Sequence, residues 1–144
     1  MNGRIGGAMP LWFRGLALVA VLWNAIGVWT YLGHVGAVPP MQPMTAEQEA
    51  LAATVPVWVT AAFATAVFSG FIASLLMLLS RALARPLFAL SLVCIIVQMA
   101  WVLLVSDARR VEGNAAFVMP LIVTGIALLL LWASNAGVKR GWLR

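Results

Sequence analysis

Charge is what this 144-residue chain has least of. Four acidic residues and nine Lys or Arg make up 9% of it, against about 25% in a soluble domain. So few charged groups cannot cover a water-soluble surface of this size. A mean hydropathy of +1.03 assigns the excess of Leu, Val, Ala and Ile to lipid instead. Cysteine is nearly absent: Cys94 stands alone, which excludes a disulfide within the chain and a cysteine-built metal site. His34 is the single histidine, leaving no second imidazole for a bis-histidine haem or a zinc cluster. No metal and no cofactor are expected.

The net charge of +5 does not indicate nucleic acid. The basic residues fall in short clusters between long apolar runs rather than on one broad face, so the charge reads as a topology signal and no nucleic-acid partner is expected. What the chain does have is apolar length. A spanning helix needs about 20 predominantly apolar residues, and four stretches qualify: Leu11–Leu32, Val57–Leu79, Leu87–Val105 and Phe117–Ala133. Each lies after or near a proline (Pro10, Pro56, Pro86, Pro120), and proline is tolerated in a first helical turn. The expected fold is all-α, a single four-helix membrane domain over residues 1–144.

Seven of the nine basic residues fall on one side of these spans: Arg4, Arg14, Arg81, Arg85, Lys139, Arg140 and Arg144. Arg109 and Arg110 lie on the other side with all four acids, Glu47, Glu49, Asp107 and Glu112. The positive-inside rule therefore places both termini in the cytoplasm, with the lipid bilayer as the first partner. Trp12, Trp132 and Trp142 fall near the inner interface, Trp29, Trp58 and Trp101 near the outer one. A signal peptide ending near Val35-Gly36-Ala37 is the competing reading of the N-terminal segment. Its apolar stretch is too long for that and contains Trp23, Asn24, Trp29 and Tyr31. In the outer loop, residues 33–55, Thr45 followed by Gln48 resembles a capping box that opens a short helix through Glu47–Ala53. The simplest role for that helix is to lie over the outer mouth of the bundle.

No ionisable side chain falls in the middle of a span. Such groups mark proton relays, ion coupling and voltage sensing, so a pump, a proton-coupled transporter or a charged-ion channel is disfavoured. No nucleophile–base pair or metal-ligand set supports an enzyme. The polar residues that remain are neutral. Asn24 lies roughly 15 Å past Arg14 by helix rise, on one face with Ala17, Ala20, Gly27 and Tyr31. Ser91, Cys94, Gln98, Trp101 and Val105 make the matching face of the third span. Small residues allow close helix approach and a buried amide bonds across to a neighbour, so both faces point into the bundle. In the second span Ala62, Ala66, Gly70 and Ser74 form a small-residue row suited to packing, beside Ala61, Thr65, Ser69 and Ala73. The hydroxyls in these rows can also bond the carbonyl one turn back. Trp23 sits about 100° round the helix from Asn24, which assigns it to lipid or to packing.

Leu18–Asn24 and Leu92–Gln98 are offset by 74 positions, and Pro56–Thr60 looks like Pro120–Thr124. A tandem of two helical hairpins in one orientation would follow, with a substrate site near the midplane as in parallel-repeat transporters. Asn24, Gln98, Thr60 and Thr124 are then the candidate solute contacts, with interhelical bonding the competing role of the amides. Four helices scarcely enclose a solute-sized cavity, which makes a homo-oligomer the expected assembly.

Val21-Leu22-Trp23-Asn24 with Gly27 and Tyr31, Pro56-Val57-Trp58 through Phe63, Val67-Phe68 and Gly70, Arg85-Pro86-Leu87-Phe88 through Ser91-Leu92, Val97-Gln98-Met99, and Gly141-Trp142-Leu143-Arg144 carry a resemblance over nearly the whole chain. They resemble a family of small four-span bacterial inner-membrane proteins, some of which bear a sugar-transporter label. The resemblance implies that location and solute transport, and assigns no chemical role to any residue. Two functions follow as expectations: a non-enzymatic facilitator of a neutral solute such as a sugar, or an accessory subunit docking on a larger membrane complex.

Overall fold

A computed structural model describes residues 7–144. Among these residues there are six helices and no strand: α1 Leu11–His34, α2 Ala46–Ala53, α3 Val57–Leu78, α4 Ala84–Leu104, α5 Ala108–Glu112 and α6 Ala115–Lys139. α1, α3, α4 and α6 are each long and apolar enough to cross a bilayer. The chain is a small, all-helical, multi-pass membrane protein. Helices are the solution lipid imposes, because hydrocarbon offers backbone N–H and C=O groups no partner outside the chain itself.

Pro10 and Pro56 cap α1 and α3 with extended backbones, ψ 151° in both. They sit just outside the helix, where a missing N–H leaves no bond unmade. The other two prolines require a correction to the expected spans. α4 begins at Ala84, placing Pro86 within its first turn, whereas α6 begins at Ala115 and carries Pro120 in its second turn. α6 also continues past Ala133 to Lys139, because Ser134 and Gly137 are buried against the rest of the molecule. Hydropathy marks where a helix leaves lipid, not where it unwinds.

The four long helices follow chain order in space, α1 packing on α3, α3 on α4 and α4 on α6. α1 and α6 lack comparable packing along their lengths. The array is therefore open on one side. The two hairpins, α1 with α3 and α4 with α6, each pack within themselves and meet through α3 and α4.

One end, here the basic end, carries Arg14, Arg81, Arg85, Lys139, Arg140 and Arg144 (Arg4 lies outside the described residues). Here α6 stops in a Schellman motif. Gly141 has φ +72°, its N–H donates to Val138 O at 3.1 Å and the Trp142 N–H to Gly137 O at 2.9 Å. The chain then turns back under the bundle. Arg144 N donates to Ser80 O at 2.8 Å, and Ala82 N donates to Arg144 O at 2.9 Å, tying the tail to the α3–α4 turn. The core of this end comprises Phe13, Met77, Phe88, Leu130 and Leu143 among small alanines. Gly137 makes it possible: a Cβ there would sit 2.8 Å from Phe13 Cζ and 3.0 Å from Leu143 Cγ. Trp142 stacks edge-on against Phe13 and Trp12, with centroids 5.2 and 5.7 Å away, under the Arg140 guanidinium at 5.0 Å.

At the opposite, loop end the capping box forms as the sequence indicates. Gln48 N donates to Thr45 Oγ1 at 3.3 Å, and Thr45 N donates to Gln48 Oε1 at 2.9 Å. α2 buries none of its residues and packs beside α5.

Candidate functional site

Three helices converge at Gly70 of α3. Any Cβ there would collide with Asn24 Oδ1 of α1 and come within 3.1 Å of Ser91 Oγ of α4. Hydrogen bonds fix the same point. Asn24 Nδ2 donates to Ala20 O one turn back at 2.9 Å and across to Ser74 Oγ at 3.0 Å. Ser74 Oγ passes on to Gly70 O at 2.8 Å. Ser91 Oγ donates to Ala66 O at 2.7 Å, joining α4 to α3. The row Ala66, Gly70 and Ser74 is buried and Ala62 is half-buried, as close packing requires. Gly27 faces α3 at ordinary contact distance, 3.5 Å from Cβ to Val67 Cγ1. It permits the α1–α3 approach without being sterically required for it.

Beyond this junction the open side of the array becomes a cavity of about 220 Å³. Trp23, Ile26 and Gly27 of α1 line one wall, and Met119, Val123 and Ile126 of α6 the other. Ala66 and Val67 of α3 with Ile95, Gln98 and Met99 of α4 form the back. Phe88 and Leu130, both belonging to the core of the basic end, close the floor. Among the described residues no ionisable side chain lines the cavity, and none of α2 covers it. The walls of this cavity come from a single chain, and its α1–α6 side stays open.

The structure treats the two amides differently. Asn24 spends both amide hydrogens inside the protein, and its oxygen rests over Gly70. Gln98 retains 7% exposure, yet its side chain has no hydrogen-bond partner among the described residues. Among the described residues no fully enclosed side-chain polar atom lacks a partner, so the Gln98 amide keeps its opening onto the cavity.

The candidate threonines do not join this site. Thr60 lies outside the cavity lining, its hydroxyl 3.5 Å from Pro56 O, and half-buried Thr124 lies outside it too. Thr30 reaches the lining instead, with its hydroxyl donated back to Ile26 O at 2.9 Å. Trp23, assigned from its angular position to lipid or packing, lines the cavity beside Asn24. Val105 is 71% exposed and leaves the inward face of α4. The α6 wall was missed, although Met119, Val123, Ile126 and Leu130 recur at helical spacing on one face. Comparison with family models, curated proteins and solved structures gave no match.

Proposed function

We propose that this small multi-pass membrane protein is a non-enzymatic facilitator that holds a neutral solute in the cavity between α1 and α6, its basic end facing the cytoplasm of a bacterial cell. The observation that carries this reading is Gln98, a buried amide without a hydrogen-bond partner among the described residues, at the wall of a mostly apolar cavity. The lining supports a neutral ligand because no fixed charge is there to pair with a charged one. It also bears on the sugar reading: Asn24, Ser91 and Thr30 have committed their donors internally, so a ring with many hydroxyls would bury most of them unanswered. A mostly apolar solute with one polar function fits better. The resemblance to four-span bacterial proteins points toward the same cellular location.

A thermal-unfolding series in detergent against neutral solutes tests the proposal. A ligand confined to the folded state at 100 times its Kd adds about 2.7 kcal/mol, and Gln98→Leu is expected to remove that gain. Stabilisation that survives Gln98→Leu unchanged would discard the site. The second reading, an accessory subunit, draws on the same open side of the array, where α1 and α6 lack packing. It predicts stabilisation by a co-purifying protein and none by solutes.

A further inference from the structure

The cavity has a size, a polarity and an entrance, and together they narrow the ligand class beyond a neutral solute. An apolar cavity of roughly 150 Å³ takes one benzene, so 220 Å³ accommodates the head and first carbons of a longer chain, whose remainder stays in the bilayer beyond the open side. The entrance lies between two helices that bear large apolar side chains exposed at its edges, Ile26 at 50% on α1 and Met119 at 55% on α6. In a bilayer those edges face hydrocarbon, so a chain already dissolved in the membrane reaches the cavity without crossing water. The floor at Phe88 and Leu130, 2% and 4% exposed, is shut, so a chain entering sideways finds a blind end.

Gln98 then sets the head group. A primary amide offers both donors and an acceptor, which suits one hydroxyl or one carbonyl oxygen. A carboxylate or ammonium would face no countercharge anywhere in the lining. We infer that the groove between α1 and α6 binds a neutral single-chain lipid of the long-chain alcohol class, its one oxygen hydrogen-bonded to the Gln98 amide. This rests on the proposed solute site and specifies its ligand and its route of entry.

The test uses the whole protein in nanodiscs of phosphatidylcholine, with hexadecanol carrying a photoreactive diazirine as probe and labelled peptides mapped by mass spectrometry. Labelling is expected at Trp23, Met99 and Met119, suppressed by excess unlabelled hexadecanol and unaffected by glucose or palmitate. Gln98→Leu should lower the suppressible labelling about five-fold, in keeping with one hydrogen bond in a membrane. Competition on the unaltered protein gives the decisive reading even should the variant fold poorly. Labelling spread over all lipid-facing surfaces and indifferent to hexadecanol would overturn the inference. Competition by glucose in place of hexadecanol would overturn the lipid class while leaving a neutral-solute site. Competition by no neutral compound would overturn both, as would cross-links from α1 to α6 of a second copy filling the groove.

Discussion

The two halves of this bundle are built on opposite plans. Toward the basic end every long helix is tied to another: Phe13 of α1 fits over Gly137 of α6, Leu143 and Trp142 fold beneath them, and Arg144 bonds the α3–α4 turn. Toward the loop end α1 is held to α3 through Tyr31 stacking on Phe63 and Phe68, centroids 5.5 and 5.8 Å away. On the other flank α6 is held by α4 and α5, with Arg109 over Phe117 at 5.4 Å. Nothing comparable joins α1 to α6 there. In lipid there is little hydrophobic drive to close such a seam. A gap between apolar helices therefore persists unless side chains are shaped to fill it.

Substitutions can break this contrast, beginning at the junction both halves share. Gly70→Leu would push a side chain into Asn24 and Ser91, parting three helices at once. Loss of a monodisperse folded species on gel filtration is expected, and a normal bundle would remove α3 from the centre. Phe13→Ala, at a site with 0% exposure, should cost about 3 kcal/mol through the cavity it leaves, measured by denaturant unfolding in mixed micelles. Hydrogen exchange should show the loss at the basic end, and uniform loss across the molecule would deny that the halves are separable. Asn24→Leu removes the bond to Ser74 and should cost about 1 kcal/mol, read as a modest fall in unfolding temperature. Gln98→Leu has the smallest effect on stability: with no partner to lose, the unliganded protein should unfold at the same temperature or slightly higher. A fall as large as that of Asn24→Leu would show that Gln98 bonds within the bundle.

The four spans were legible because a continuous apolar run is a direct consequence of a hydrocarbon solvent. The small-residue row of α3 was legible for a similar reason, since close approach selects Gly, Ala and Ser at a fixed spacing. The capping box at Thr45 was readable because it is local. What was not readable depends on which helices meet. Asn24 and Gln98 look alike in sequence, each an amide on a face with small residues. Ser74 lies opposite the first, and among the described residues no hydrogen-bonding partner lies opposite the second. Thr60 and Thr124 were placed by an apparent repeat in the sequence, and neither reaches the cavity lining. The Ser134–Lys139 extension of α6 escaped notice because the tail that buries it lies beyond the apolar run.

Pro120 gives α6 a mechanical property worth following through. Lying in the second turn, it has no N–H to give to the Ala116 carbonyl, so the segment before it is joined to the remainder of the helix by one rung fewer. That segment bears Met119, at the rim of the cavity, while the segment after it bears Leu130 and Gly137, clamped at the basic end. The missing rung falls between the Met119 rim and the clamped base. Arg109 over Phe117 holds the short segment before Pro120 from outside the helix, where its own backbone ladder is one bond short.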